Sequence, residues 1–362
     1  MVDLSAKQIR VLAEGEGRRL AQERDRQVKA YREHRLEVKA EQSPGLLVVC
    51  ADGGRVQTRN GFAERGQQDE AEERSQMSRA HAEREAIDPG RQSDRQERWK
   101  EDKVGVVYDA VAKPQPQAVA GEYRGAKAKV KTYVATMQSW EPFGWMLRLE
   151  AERRGYAQAK TKLFLGDGAR HIWDMKELQF PEAVSILDWA HGAGHVADCS
   201  KAAFGEGTDE AKSWYAKHRL MLWDGGVEDL IRDVEKLSAR AGPPQKNDLD
   251  GSPRRVLRQN ATSYFPNNKK AMDYPPFRAK GWPIGSGVVE GAVKQFAMRM
   301  KGSEKFWNVG GLDPDLSGSE ADADSSPETG AEEMLALCAL YRSEDGRWQR
   351  HWEERGRPIR WK

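Results

Sequence analysis

Short apolar runs alternate along the chain with long segments in which apolar residues recur at helical spacing among charges. The dense run LLVVC, followed by a charged and glycine-rich stretch, is typical of a buried strand. A spacing of three or four residues between apolar positions favours helices that pack one face on a core. By these criteria we predict strands at 46–50, 104–110, 162–173 and 184–189, and helices at 3–42, 144–159, 190–241, 288–301 and 331–343.

Glycine, proline and strongly polar stretches separate these elements. Pro44 and Gly45 end the first helix, and Gly242 with two prolines breaks the chain after the long helical block. The polar stretch 64–103 predicts a solvated helix or a loop, and the stretch after Val111 predicts an irregular excursion or a strand edge. Strands that precede a helical block indicate a mixed α/β core, with the block inserted before the final helix.

The distribution of charge is more informative than its total. The formal net charge of +2 does not by itself indicate a nucleic-acid partner. However, no lysine or arginine occurs between Lys305 and Arg342, and this segment is rich in aspartate and glutamate. Without it the remainder is clearly basic. Its Gly, Asp, Ser and Pro content predicts a disordered acidic insert at 309–330.

Cysteine content and hydropathy exclude several classes of protein. The three cysteines, Cys50, Cys199 and Cys338, lie far apart and form no CxxC pair, which argues against a disulfide scaffold and a zinc finger. No apolar run approaches the roughly 20 residues of a membrane-spanning helix, and no signal peptide is visible. We therefore expect a cytoplasmic protein without a membrane partner.

Two aspartates follow apolar runs and precede glycines. Asp52 comes directly after LLVVCA, and Asp167 lies in LFLGDG. Two neighbouring strands would place both carboxylates at one edge of a sheet, where carboxylates can hold the paired metal ions that cleave phosphodiesters. Gly53 and Gly54 would permit a tight change of direction after Asp52. Taken singly, each Asp-Gly is as consistent with an ordinary turn.

A glutamate near the start of a predicted helix could complete such a site. Glu290 follows Ser286, a plausible N-cap, and the helix has one apolar stripe beside it. Lys294 and Lys301 share its polar face, so the glutamate could be a metal ligand next to cations that bind phosphate. A solvated Glu–Lys pair one turn apart is the alternative.

The one histidine cluster is Asp188, His191 and His195. Two histidines four residues apart can share a helix face, which makes a metal site conceivable. No HExxH motif is present, so hydrogen bonding at the edge of an active site is the alternative. The chain also contains no P-loop and no GxSxG motif.

Several motifs together resemble those of one family. The motifs are ADGGRVQTR, WKEDK, LGDGARHIW, FPEAVSILDWAHGAGH, MDYPPFRAKGWPIGSGVVEGAVKQFAMRMKGSEKFW and the late SEDGRW. They resemble bacterial insertion-sequence transposases of the ISKra group, which is related to the Mutator-like transposases. The resemblance runs from about residue 5 to about residue 355 and is interrupted at 64–95 and 309–330.

The resemblance implies an RNase H-like (retroviral-integrase-like) mixed sheet with a helical insertion domain between the second aspartate and the glutamate. It implies a DDE triad formed by Asp52, Asp167 and Glu290, which would hold two Mg²⁺ or Mn²⁺ ions. Asp188 and His191 match the family's DxxH element, which supports the site.

The implied activity is metal-dependent cleavage of DNA and strand transfer of an insertion sequence. The implied partners are the transposon ends, the target DNA and further copies of the chain. Lys294, Arg299 and Lys301 are expected to contact phosphates. The family's insertion accounts for the large gap of 123 residues (290 − 167) before the glutamate.

These expectations divide the chain into six parts. They are an N-terminal helical remnant of a DNA-binding region (1–44), the first part of the core (45–189), the insertion domain (190–280), the glutamate helix (281–308), the acidic insert (309–330), and a C-terminal helix with a basic tail (331–362).

Departures from the family pattern leave two alternatives open. Family members usually have a longer N-terminal region and a compact run from the glutamate helix to the last helix, and here MRMKGSEKFW stands where RLKGSGMRW is usual. One alternative is an inactive, truncated transposase relic that only binds DNA. The other is a stand-alone RNase H-like nuclease, which would cut DNA without joining it.

Overall fold

Five strands form a mixed sheet in the computed structural model, which describes residues 4–40, 42–59, 99–301, 307–308 and 330–356. The order across the sheet is β3-β2-β1-β4-β5, with β1 antiparallel to β2 and parallel to β4. The predicted α/β class is confirmed. The strands are β1 (Leu46–Arg59), β2 (Trp99–Val111), β3 (Lys127–Thr136), β4 (Thr161–Gly166) and β5 (Val184–Leu187), and a short strand, β6 (Trp307–Asn308), pairs with the end of β1.

Helices cover both faces of the sheet. None in the described part of the chain is long and apolar enough to cross a membrane. They are α1 (Ala6–Arg32), α2 (Trp140–Arg153), α3 (Arg170–Gln179), α4 (Trp189–Phe204), α5 (Asp209–Trp223), α6 (Val227–Ala241), α7 (Pro253–Gln259), a π-helix (Asn260–Tyr264), α8 (Phe265–Asn268), a 3₁₀ helix (Lys269–Met272), α9 (Tyr274–Lys280), α10 (Gly287–Met300), α11 (Gly330–Arg342) and α12 (Arg347–Arg355).

Alternate residues of β1 supply two separate cores, because successive side chains of a strand point to opposite faces. Leu47 and Val49 are fully buried among residues of α2 and α3. Val48 and Cys50 are fully buried on the other face, in the cluster that includes residues of α4, α6, α10 and α11. A strand buried on both faces needs the unbroken apolar run that the sequence shows at 46–50.

The structure corrects several expectations about elements. The strand predicted at 162–173 ends at Gly166, and α3 begins at Arg170. The chain does not turn after Asp52: β1 continues to Arg59, because β2 hydrogen-bonds it through the pair Gly54–Asp102 and beyond. The stretch after Val111, expected to be an irregular excursion or a strand edge, leads into β3, which is a full strand at the edge of the sheet. The first helix ends at Arg32, ten residues before the predicted end at 42 (42 − 32).

The segment between β5 and α10 is helical, as its apolar spacing predicts. In α6 the buried residues Val227, Leu230, Val234 and Leu237 form one stripe. The division into six domains stays a prediction, and so does a DNA-binding origin for α1, which packs along α11. The predictions for 64–98 and for the acidic insert, apart from Gly330, lie outside the described residues.

Candidate metal-binding site at the carboxyl edge of the sheet

Three aspartates lie level with one another, one within β1 and two directly after β4 and β5. In the parallel pairing of β1 with β4, each residue of β4 has a number 115 higher than its partner in β1 (161 − 46). Asp167 and Asp52 differ by the same 115 (167 − 52), so continuing this register would place them opposite each other. Paired residues of β4 and β5 differ by 21 (184 − 163), and Asp188 follows Asp167 by the same 21 (188 − 167). The parallel register therefore brings these carboxylates to one edge of the sheet.

Asp52 lies within β1, beyond the last residue that pairs with β4. The backbone N–H of Gly53 donates to Asp52 Oδ1 at 2.8 Å. Burial raises the pKa of Asp52 to about 6, and the negative charges of Asp167 and Glu290 add to the rise. The crowding of acids makes this edge a place where a cation would be stabilised.

Glycines beside Asp52 allow two acids of β2 to approach the strand. A Cβ added to Gly53 would lie 2.9 Å from Glu101 Oε1, and one added to Gly54 would lie 2.5 Å from Asp102 Oδ1. Gly54 therefore leaves room for the buried Asp102 of the neighbouring strand, whereas the Glu101 side chain beside Gly53 is exposed. Neither glycine forms the turn that the sequence suggests.

Asp167 begins the tight turn that follows β4. Its Oδ1 accepts a hydrogen bond from the N–H of Ala169 at 2.8 Å. The next residue, Gly168, has φ +97°, and a Cβ there would lie 2.6 Å from Leu187 Cδ1. Only glycine fits this position, so the sequence Asp-Gly is fixed by the geometry of the turn.

Asp188 caps α4 and connects it to the loop before α10. Its Oδ1 accepts from the backbone N–H of His191 at 2.8 Å and lies 3.0 Å from His191 Nδ1. Its Oδ2 accepts from the N–H of Ser286. Burial opposes the charge of Asp188, which is 1% exposed, but these hydrogen bonds hold its pKa below the usual value. Both carboxylate oxygens are thus engaged in positioning neighbouring elements.

Glu290 lies in the first turn of α10 and faces the same edge. Its Oε1 accepts a hydrogen bond from Ser286 Oγ at 2.9 Å. Ser286 occupies the predicted N-cap position, but its hydroxyl binds this carboxylate and makes no capping bond to the backbone. One ligand atom each from Asp188, His191 and Glu290 all lie within 4.8 Å of one another.

His191 acts as a cation in this group. The hydrogen bond with Asp188 raises the pKa of His191 to about 8, with further support from the charges of Asp167 and Glu290. A protonated imidazole cannot coordinate a metal ion. In the metal-free protein at neutral pH, His191 therefore offsets part of the charge of the surrounding acids. Its supporting role in the site stays a prediction.

The remaining donors fit a hard divalent cation. Asp52 and Asp167 each have one oxygen held by a backbone N–H, and within the described residues no hydrogen bond reaches the other oxygen. Mg²⁺ and Mn²⁺ prefer such carboxylate oxygens, with water and phosphate completing the shell. The compact group around Asp188 does not include Asp52 or Asp167, so Glu290 is the one member of the predicted triad that belongs to it.

The predicted phosphate contacts lie on the outer side of α10 and at its end. Lys294, Arg299 and Lys301 are all exposed. The Nζ of Lys294 lies 3.9 Å from Glu290 Oε2. His195 does not join the acids: its Nδ1 contacts Asn260 Oδ1 at 2.8 Å, and its ring stacks on Tyr264.

Sequence reasoning missed the residues that hold the site from outside. Ser286 was considered only as a cap, although it bonds to Asp188 and Glu290. Tyr264 and Tyr274 bond to the backbone at the strand ends. Tyr264 lies in no recognised motif, and Tyr274 lies in one, MDYPPFRAKG, that does not reveal its contact. Their separation from the acids by about a hundred residues hides them, because only the tertiary structure brings them together.

Comparisons with protein-family models and with curated proteins find no match to this chain. The function is therefore argued from the residues and the geometry of the site.

Proposed function

We propose that this protein is a DDE transposase, which cleaves DNA and transfers its strands with the help of Mg²⁺ or Mn²⁺. The proposed core is RNase H-like, and the order β3-β2-β1-β4-β5 with an antiparallel β2 supports it. The proposed place of action is the bacterial cytoplasm, where the DNA lies. The motifs that resemble ISKra-group transposases include every acid of the site.

The observation that carries the proposal is the convergence of Asp52, Asp167 and Glu290. They come from two strands and a helix that are far apart in sequence, and the charges of Asp167 and Glu290 both raise the pKa of Asp52. Partly buried carboxylates that raise one another's pKa destabilise the fold unless a cation or a proton offsets their charge. Such an arrangement is typical of a functional site.

Each group has a part in the proposed reaction. Metal ions held at the site would supply activation of the attacking hydroxyl. Attack by water would break a phosphodiester bond and leave a 3′-hydroxyl on the transposon end. That hydroxyl would join to a phosphate of the target DNA and release a target 3′-hydroxyl. Asp52, Asp167 and Glu290 would hold the ions, while Asp188 orients His191 and the start of α10. Lys294, Arg299 and Lys301 would bind phosphates along the helix that carries Glu290.

The test is strand cleavage and joining by the full chain on duplex DNA that carries the element's own ends, with Mg²⁺ or Mn²⁺. Asp52→Ala and Asp167→Ala should each abolish both steps. Asp174→Ala is the matched control, because Asp174 is exposed on α3 and pairs only loosely with Arg170 at 3.6 Å. The control should retain wild-type activity.

Other outcomes would point to the alternative functions. DNA binding without metal-dependent cleavage would indicate the inactive relic. Cleavage without joined products would indicate a stand-alone nuclease. Full activity in Asp52→Ala would refute the assignment of the site.

A further inference from the structure

Two tyrosine hydroxyls from the helical segment after α7 bind the backbone at the edge of the sheet. Tyr264 Oη donates to the carbonyl oxygen of Asp167 at 3.0 Å. Tyr274 Oη donates to the carbonyl oxygen of Leu187, the residue before Asp188, at 3.3 Å. The Tyr264 hydroxyl thus binds the site aspartate that follows β4. The Tyr274 hydroxyl binds the last residue of β5, directly before Asp188.

Tyr264 is itself held in one orientation. It ends the π-helix Asn260–Tyr264, and its ring stacks on His195 with centroids 3.4 Å apart and an interplanar angle of 15°. His195 in turn contacts Asn260 Oδ1 at 2.8 Å. Single π-turns inside helices occur frequently at functional sites, where they redirect side chains.

Asn268 extends the contact to the residue after Asp167. It is 2% exposed, and its Nδ2 donates to the carbonyl oxygens of Tyr264 at 2.9 Å and of Gly168 at 3.4 Å. Trp173 Nε1 donates to Asn268 Oδ1. A Cβ at Gly168 would lie 2.9 Å from the Tyr264 ring. The turn after β4 is therefore enclosed by this segment on the side away from the sheet.

Tyr274 provides the second support. It is fully buried, and its ring packs edge-on against Trp189, with centroids 5.1 Å apart. Trp189 is the first residue of α4, directly after Asp188. The ring and the hydroxyl thus hold both neighbours of Asp188 along the chain.

We infer that Tyr264 and Tyr274 are positioning residues that fix the strand ends so that Asp167 and Asp188 converge with Asp52 and Glu290. The inference rests on the proposed function for its meaning, because the converging acids are the proposed metal site. It makes the helical segment after α7 a structural part of that site. Residues outside the coordinating set commonly tune metal affinity in this way.

The experiment measures Mn²⁺ binding by the full chain with isothermal titration calorimetry, and amide hydrogen exchange at Gly168, Ala169 and Asp188. Tyr264→Phe removes one hydroxyl and keeps the ring. It should weaken Mn²⁺ binding about tenfold, the lower end of the effect of outer hydrogen bonds on metal sites. It should also accelerate exchange at Gly168 and Ala169. Tyr274→Phe should have a smaller effect, centred on Asp188.

Tyr156→Phe is the matched control. Tyr156 is fully buried, and its hydroxyl donates to Glu182 Oε2 at 3.1 Å near the other face of the sheet. This variant loses the same chemical group from the same protein. It should leave Mn²⁺ affinity and exchange at 167–169 unchanged.

The outcomes separate the inference from the proposed function. Unchanged Mn²⁺ affinity and unchanged amide exchange in Tyr264→Phe would overturn the inference. The metal site itself would still be supported if the wild type binds Mn²⁺ and Asp167→Asn does not. If the wild type binds no Mn²⁺, the proposed metal site fails, and the exchange measurement alone decides the positioning role. Equal weakening in Tyr156→Phe would reduce the effect to general stability and overturn the inference.

Discussion

At the scale of single residues, the site concentrates negative charge that the fold alone does not neutralise. Asp188 is satisfied by hydrogen bonds from His191 and Ser286, and its pKa is held low. Asp52 receives one backbone hydrogen bond, and burial raises its pKa to about 6. The two aspartates therefore differ: Asp188 positions its neighbours, while burial and the neighbouring acids disfavour the charged form of Asp52.

Asp52→Asn should stabilise the metal-free protein at pH 8. The folded pKa is about 6 and the ordinary value is 3.8, so the folded state keeps a proton that the unfolded state loses between these values. Stability then falls as the pH rises from about 4 through about 6, and remains lower above. Asparagine does not titrate, so the variant should be more stable to unfolding than the wild type by about 1 to 3 kcal/mol, since one pKa unit corresponds to about 1.4 kcal/mol.

Urea unfolding with a chelator present, from pH 4 to pH 8, measures the difference. The free energy of unfolding of the variant should exceed that of the wild type by an amount that increases from pH 4 to pH 8. Asp174→Asn is the control, because its side chain is 70% exposed on α3. If the free energies of unfolding of Asp52→Asn and the wild type coincide across this pH range, ionised Asp52 does not destabilise the fold and the prediction is wrong.

At the scale of elements, the contact between α1 and α11 depends on one glycine. Gly17 is buried in α1, and a Cβ there would lie 2.2 Å from the carbonyl oxygen of Glu333. Arg18 and Arg24 of α1 pair with Glu333 and Glu332 at 3.2 and 2.6 Å. The glycine lets the helices approach closely enough for these pairs to form, so α1 is an integral part of the packed core.

Gly17→Ala should destabilise the protein by about 1 to 3 kcal/mol, the usual effect of forcing extra volume into a packed contact. Gly15→Ala is the matched control, two residues away in the same helix, because a Cβ there meets nothing within 4 Å. It should stabilise the protein by up to about 1 kcal/mol, since alanine favours a helix more than glycine. Chemical unfolding of both variants gives the comparison, and stabilisation by both would contradict the close contact.

At the scale of the whole molecule, a buried ion pair connects the C-terminal helix to the layer behind the sheet. Glu150 of α2 is 3% exposed, and Arg347 of α12 donates to its two oxygens at 2.6 and 3.2 Å. Burial alone would raise the pKa of Glu150, but Arg347 holds it below the usual value. Asp345 binds the same guanidinium at 2.9 Å.

Glu150→Gln should destabilise the protein by about 1 to 3 kcal/mol at pH 7, because it leaves the partly buried guanidinium of Arg347 with Asp345 as its remaining counterion. The lowered pKa means that the stabilisation is present above pH 4.5 and is lost as the pH falls. Thermal unfolding between pH 3 and pH 7 should therefore depend less on pH in the variant. Glu344→Gln is the control: its exposed pair with Lys131 should contribute less than about 1 kcal/mol.

The sequence by itself determined the elements that have strong local patterns. The apolar run at 46–50 predicts β1, because a strand buried on both faces needs such a run. The stripe of Glu290's helix, Val289 to Met300, predicts α10. Asp52 and Asp167 follow predicted strands, and Glu290 lies at the start of a predicted helix. These positions, with the resemblance of the surrounding motifs, predict the three acids as site residues.

Only the tertiary structure decided how these residues meet. Strand β3 and the continuation of β1 past Gly54 depend on pairing with β2, and such pairing leaves no local pattern in a polar stretch. The level placement of Asp52, Asp167 and Asp188 follows from the register of parallel strands. The roles of Ser286, Tyr264 and Tyr274 arise from contacts across long stretches of chain, which packing sets and local sequence does not encode.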